Sequence, residues 1–98
     1  MSVSNSTATR TTVATSTVSA TLLAANMARK MATVVNDSLQ ILYVALGSTA
    51  SSTAFDYKLL AGQTLELPII GGDDVYRGVI SGILDAATGN ARVSQTLG

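Results

Sequence analysis

The side chains that could do chemistry in this chain are carboxylates, two lysines and hydroxyls, because its 98 residues include no histidine and no cysteine. Those two residue types supply most metal ligands, general bases and soft nucleophiles. The closest carboxylates are Asp73 and Asp74, in the segment GGDD. Oxygen ligands suit Ca²⁺, but this segment lacks the alternate-position spacing of a calcium loop, so we interpret it as an exposed turn.

A second carboxylate pair, Asp56 and Glu66, lies on neighbouring predicted strands and could in principle act as the acid and base of a glycosidase. Nothing around either residue in the sequence supports that role. The segment GGDDVYRG is also no phosphate-binding loop, since it precedes a strand and lacks the lysine of that motif. We therefore expect no catalytic residue, no cofactor and no metal, and a role other than that of an enzyme.

The composition narrows the choice of partners. Charged residues make up 12% of the chain, about half the usual share, and the formal net charge is zero. Nucleic-acid binding needs clustered Lys and Arg, which this sequence does not have. The longest apolar run, residues 41–46, is far shorter than the roughly 18 residues of a membrane span, and the first residues do not form a secretory signal. We expect the protein to stay where it is made until it enters an assembly.

Short apolar runs separated by turn residues predict an all-β fold, a small antiparallel sandwich or barrel of about seven or eight strands. Residues 20–32 could instead form a helix, but Asn26 in the middle favours strand, turn and strand. The polar residues 1–9 are expected to form a flexible arm, followed by a single domain at 10–98. The predicted strands are 11–18, 20–23, 30–36, 39–46, 55–60, 63–69, 76–84 and 91–97.

Turn residues mark the connections between these strands. The Ala-Gly pair at 61–62 and the segment ATGN at 87–90 are each predicted to close a hairpin, with Gly89 free to adopt a positive φ. Longer polar loops are expected at 47–53 and 71–74. Pro68 is expected near the end of its strand, where the missing N–H does least harm.

Residues 39–46 are apolar on both faces of the predicted strand. We assign Leu42, Val44 and Leu46 to the core because their face is uniformly aliphatic. The opposite face, with Leu39, Ile41, Tyr43 and Ala45, needs a cover, and we expect a neighbouring subunit or another partner there. The competing explanation is that the chain's own loop, 47–54, folds back over this face.

The remaining candidates for contacts are dispersed. Tyr57 and Tyr76 could line a small contact patch, although packing in a core or interface is the simpler role. The basic residues Arg29, Lys30, Arg77 and Arg92 are expected on the surface, for solubility and edge protection, or for salt bridges to a partner. The candidate interface residues are Leu39, Ile41, Tyr43, Tyr57 and Arg77.

Five motifs follow one another along the chain: LLAAN-AR at 22–29, NDS at 36–38, LYVALG at 42–47, LAG…E-P at 60–68 and G-I-GI…A-TG-A-V at 78–93. With these motifs in this order, about residues 10–97 resemble a family of small structural proteins of tailed bacteriophages. The sequence departs from the family pattern at Met31, where glycine is common, and at Leu84, where an aromatic residue is common.

This resemblance implies an all-β virion protein, with a capsid decoration (cement) protein as the leading candidate. Such a protein binds the outside of the head shell and stabilises it by bridging capsid subunits. The implied partners are the major capsid protein and further copies of the chain, with a trimer favoured. The implied location is the capsid surface, after synthesis in the host cytoplasm. The alternatives are a tail, neck or fibre-associated structural protein and a host-receptor or carbohydrate-binding module.

Overall fold

The computed structural model describes residues 7–67 and 75–97, and within these ranges the chain forms eight β-strands and no helix. The all-β class predicted from the sequence is confirmed, and residues 20–32 form strand, turn and strand. The strands are β1 (Thr7–Thr15), β2 (Ala20–Leu23), β3 (Arg29–Asp37), β4 (Leu42–Leu46), β5 (Tyr57–Leu59), β6 (Thr64–Leu67), β7 (Ile80–Leu84) and β8 (Gly89–Leu97).

The strands form two four-stranded sheets, and every neighbouring pair is antiparallel. The first sheet has the order β1-β8-β3-β6 and the second has the order β2-β7-β4-β5. The pairing is nested, since β1 pairs with β8, β2 with β7, β3 with β6 and β4 with β5. This strand order is that of a jelly roll, a β-sandwich in which a long folded-over hairpin is wrapped into two sheets.

The nested pairing corrects two predicted hairpins. Among the described strands, only β4 and β5 are both consecutive and paired, so the turns at 61–62 and 87–90 carry the chain from one sheet to the other. Gly62 does adopt a positive φ of 81°, and the N–H of Gln63 closes that turn on the carbonyl of Leu60 at 3.0 Å. In the second turn the positive φ, 59°, belongs to Ala87 and not to Gly89.

Gly89 is needed for a different reason, which is the close approach of Ser38. A Cβ atom built on Gly89 would overlap the Cβ of Ser38 and would lie 3.5 Å from Cδ1 of Leu84. The absence of a side chain therefore allows the turn before β4 to pack on the first residue of β8.

The core lies between the two sheets and is built from the inward-facing residues of both. Leu42 and Val44 are fully buried, as predicted, and Leu46 is partly buried against the same cluster. Tyr57 and Tyr76 also pack against it, which confirms the packing role for these two rings. The other buried members are Leu22, Leu23, Ala32, Val34, Leu59, Leu65, Leu67, Val75, Ile80, Leu84, Ala91 and Val93.

Side-chain hydrogen bonds explain why β4 starts at Leu42 and not at Leu39. The buried Asn36 donates from Nδ2 to the carbonyls of Gln40 (2.7 Å) and Leu59 (2.9 Å), and its Oδ1 accepts from the hydroxyl of Ser38 at 2.6 Å. The Ser38 hydroxyl oxygen in turn accepts from the N–H of Gln40 at 3.1 Å. These local bonds compete with strand pairing and hold residues 38–41 in a turn.

Arg29 is fully buried, which corrects its assignment to the surface. Its Nε donates to Oε1 of Gln95 at 2.9 Å, and its Nη atoms donate to the carbonyls of Ala24 (2.7 Å), Tyr76 (2.8 Å) and Gly78 (3.0 Å). Burial lowers the pKa of Arg29 below its ordinary value, and Tyr76 opposes this shift. The dipoles of these acceptor groups stabilise the buried cation, and its hydrogen bonds connect the β2–β3 turn to the segment before β7.

The N-terminal boundary also differs from the prediction. β1 begins at Thr7, inside the segment expected to be a flexible arm, because residues 7–9 pair with residues 95–97 of β8. The remaining arm residues, 1–6, lie outside the described residues, as do Pro68 and the GGDD segment at 71–74.

Candidate protein interface

The outer face of the second sheet is the face of β4 that the sequence predicts to be covered by a neighbouring subunit or another partner. The strand register aligns Tyr43 of β4 with Lys58 of β5 and Ile83 of β7, and it aligns Ala45 with Ser81 of β7. These residues alternate with the core residues Leu42 and Val44, so they point away from the first sheet.

One half of this outer face is covered by the chain itself. Ala45 and Ser81 are buried, although neither belongs to the core cluster between the sheets. The loop after β4 reaches over them: the Ser81 hydroxyl donates to the carbonyl of Gly47 at 2.8 Å, and the N–H of Ala50 donates to the Ser19 hydroxyl at 2.9 Å. Ala50 is itself buried. The competing explanation, a cover from loop 47–54, is therefore correct at Ala45.

The other half of the outer face stays partly open and is apolar. Tyr43, Ile41 and Ile83 are half-buried there, and the ring of Phe55 packs on the ring of Tyr43 with centroids 4.7 Å apart. Phe55 remains 39% exposed and Leu60 49% exposed. Continuing the β4–β5 register places Leu60 beside Ile41. We call these five residues the Tyr43 face.

Three charged groups lie next to the Tyr43 face. Asp85 lies beside Ile41 and accepts a hydrogen bond from its N–H at 3.1 Å. Asp56 accepts from the N–H of Leu46 at 2.7 Å. Lys58, exposed, lies next to Tyr43. An apolar centre with a polar rim is the usual organisation of a protein–protein interface.

The outer face of the first sheet has a different character. Its central residues bear hydroxyls and charges, with Arg10 aligned with Ser94 and Thr33, and Thr12 aligned with Arg92. The Thr33 and Ser94 hydroxyls are hydrogen-bonded to each other, and Arg92 forms an exposed ion pair with Asp37 at 2.9 Å. Of the two outer faces, the second sheet provides the one suited to burial against a protein partner.

The structure brings together only three of the five interface residues predicted from the sequence. Leu39, 91% exposed, and the half-buried Ile41 and Tyr43 lie at the same end of the second sheet. Tyr57 is aligned with Val44 and so faces the core, on the other side of that sheet. Arg77 precedes β7 at the opposite end, where its carbonyl accepts from the N–H of Asn26.

Three members of the Tyr43 face, Phe55, Leu60 and Ile83, were missed by the sequence reasoning. A signal for Ile83 was present, because residues 79–84 are apolar or small on both strand faces, as in 39–46. Phe55 and Leu60 carry no comparable signal, since each lies in a loop and joins the face only through the folding of the chain.

The candidate catalytic carboxylates are far from forming a site. Asp56 precedes β5 in the second sheet, whereas Glu66 lies on β6 and is aligned with Thr33 on the outer face of the first sheet. The two carboxylates therefore lie on opposite sides of the sandwich. Among residues 7–67 and 75–97, no three acidic residues group closely enough to hold a metal ion.

Comparisons with models of protein families, with curated proteins and with solved structures returned no match to this chain. The described part of the chain also has no helix that is long and apolar enough to cross a membrane.

Proposed function

We propose that this protein is a structural subunit of a phage virion, and specifically a capsid decoration protein that binds the outside of the head shell through the Tyr43 face. The observation that carries the proposal is the partly exposed apolar cluster of Ile41, Tyr43, Phe55, Leu60 and Ile83 on the outer face of the second sheet.

The physical chemistry of this face suits a lasting contact with a protein. Burying its apolar side chains against a partner removes hydrophobic surface from water. The rim carboxylate of Asp56 accepts a hydrogen bond from the backbone of its own chain, which offsets part of the cost of desolvating it in the contact. A chain with 12% charged residues has little electrostatic solubility, and incorporation into an assembly offsets that weakness.

The strand order supports the proposal by analogy. Jelly rolls recur in viral capsid proteins, and the resemblance to small phage structural proteins points in the same direction. The fold alone does not define a function, so this analogy is secondary to the Tyr43 face.

The test uses virions of the phage that encodes the chain. We expect mass spectrometry to detect the protein in purified particles and a density map to place it on the head, with the Tyr43 face against the major capsid protein. Absence of the protein from particles would overturn the proposal. Density on the tail, neck or fibres would instead support the alternative role of a structural protein at that position.

A variant pair tests the face itself. Tyr43→Glu should weaken binding to particles that lack the protein, because it places a charge in a desolvated contact. Thr21→Glu is the matched control, since Thr21 is exposed on the same sheet beside the covered Ser81. Equal binding by both variants would show that the Tyr43 face is not the contact.

A carbohydrate-binding role is the second candidate. Jelly rolls also occur in lectins, and the exposed part of the Tyr43–Phe55 ring pair could stack on a sugar. Titration with a glycan array separates the two: binding to a saccharide that is lost in Tyr43→Glu and Phe55→Ala would favour this role over particle binding.

A further inference from the structure

We propose that two copies of this chain pair through the edges of their β1 strands that no described strand covers, antiparallel and about a two-fold axis at Thr11, so that the two first sheets join into one eight-stranded sheet. This inference concerns a surface on the other sheet from the Tyr43 face and does not depend on the function proposed above.

The first observation is the length of β1 compared with the other edges of the sandwich. β1 has nine residues, whereas the other edge strands, β2, β5 and β6, have four, three and four within the described residues. β2 is further interrupted by an irregularity between Thr21 and Leu23. Short edges and bulges are the usual protection against strand pairing between chains, and β1 has neither.

The second observation is that β1 pairs in one continuous register and is almost uncharged. Its register with β8 runs without a shift from the pair Thr7 and Leu97 to the pair Thr15 and Gly89. Alternate residues of such an edge direct their N–H and C=O groups away from β8, and no described strand takes them up. Arg10 is the one charged residue of β1, and proline is absent from it.

The third observation is that β1 is complementary to itself in one register. With the axis at Thr11, all nine residues pair: Arg10 lies opposite Thr12 of the second copy, Thr9 opposite Val13, and Ala8 opposite Ala14. No like charges face each other. An axis at Arg10 would place two guanidinium groups directly opposite, which is destabilising.

An axis at Thr12 is also inferior, because it would leave the first two residues of each β1 strand unpaired. The register about Thr11 therefore combines the largest number of backbone pairs with no like charges directly opposite, and its two Arg10 residues are diagonal neighbours. A two-fold edge contact gives a dimer, whereas the family resemblance implied a trimer. The mass of the oligomer therefore distinguishes the two.

The first experiment measures the mass of the purified full-length protein by sedimentation equilibrium. We expect a dimer for the unaltered protein and a monomer for Thr11→Lys, in which two ammonium groups would face each other at the axis. Thr64→Lys, an exposed threonine on the edge strand β6, is the control and should remain dimeric. A monomer or a trimer for the unaltered protein would overturn the proposal.

A second variant distinguishes this contact from one made by the Tyr43 face. Tyr43→Glu should remain dimeric. If Tyr43→Glu dissociates the dimer and Thr11→Lys does not, the β1 contact is wrong. If Tyr43→Glu no longer binds particles but remains dimeric, both proposals are supported. If the unaltered protein binds particles but sediments only as a monomer, the dimer is overturned and the proposed function stands.

Disulfide trapping tests the register, since the chain has no cysteine of its own. In Thr11→Cys the two thiols lie directly opposite, with Cα atoms within the disulfide range of roughly 4.4–6.8 Å. In Thr9→Cys they are displaced by four residues, about 13 Å along the strands, which is too far. We expect mild oxidation to yield a covalent dimer in Thr11→Cys. Thr9→Cys and the control Thr21→Cys should yield no covalent dimer. Faster cross-linking in Thr9→Cys, or none in Thr11→Cys, would overturn the register.

Discussion

The guanidinium Nε of Arg29 donates a 2.9 Å hydrogen bond to Oε1 of Gln95 and so joins the first residue of β3 to the far part of β8. The rest of the same guanidinium group serves three backbone carbonyls in two loops, at Ala24, Tyr76 and Gly78. One side chain thus holds the end of the sandwich at which both loops meet.

Replacing Arg29 should strongly destabilise the fold. Arg29→Met has a similar length but leaves three carbonyls without their donor, and we expect the free energy of unfolding to fall by about 3 kcal/mol. Arg29→Lys keeps the charge, but a single nitrogen cannot reach all four acceptors, so its loss should be smaller than that of Arg29→Met. Urea denaturation measures both variants. An Arg29→Met variant as stable as the unaltered protein would contradict a stabilising role for the network.

The two faces of β4 should respond differently to substitution. Leu42→Ala removes a fully buried side chain and should lower the free energy of unfolding by about 2–5 kcal/mol. Tyr43→Glu loses the contact with Phe55 and should cost only about 1 kcal/mol. Thermal melts of the two variants check this difference. If Tyr43→Glu unfolds as readily as Leu42→Ala, Tyr43 belongs to the core of the subunit and not to an interface.

Thr15 offers a substitution that should stabilise the protein. Its hydroxyl oxygen is buried and has no hydrogen-bond partner within the described part of the chain. Thr15→Val replaces that hydroxyl with a methyl group of similar shape, so we expect the free energy of unfolding to rise by about 1 kcal/mol. Denaturant titration of Thr15→Val against the unaltered protein is the measurement, and a loss of stability would mean that the hydroxyl does have a partner in solution.

Gly89 and Gly47 should differ in their tolerance of alanine. Gly89→Ala forces the new Cβ against Ser38, and we expect a loss of about 1–3 kcal/mol in the free energy of unfolding. Gly47→Ala is the matched control, because nothing lies within 4 Å of the position of its Cβ and its φ is not positive. Equal stability of the two variants would show that the turn at Ser38 moves away without cost.

The positions of the strands were predictable because their signals are local. Alternating apolar residues and turn residues mark a strand within a few positions of itself, and all eight predicted strands have counterparts in the structure. The ends were less accurate where side chains compete with the strand, as Asn36 and Ser38 do before β4.

The pairing of the strands was not predictable in the same way. The Ala-Gly and ATGN turns have the composition of hairpin turns, but they connect strands of different sheets, and that choice depends on residues far along the chain. The burial of Arg29 is a further example, because its four acceptors come from three separate segments. The cover over Ala45 likewise comes from a loop whose sequence, GSTASST, shows only that it is polar.

The nested strand pairing also sets the order in which the subunit can fold. Joining β4 to β5 closes one short loop, whereas joining β1 to β8 brings residues 7 and 97 together, and the entropy cost of loop closure rises with the separation along the chain. We therefore expect pairing to proceed from the middle of the chain towards its termini, with β1 docking last. Until β1 docks, the nine-residue strand β8 is the edge of the first sheet, so the incomplete subunit exposes an edge as long as that of the finished one and is open to the same kind of strand pairing.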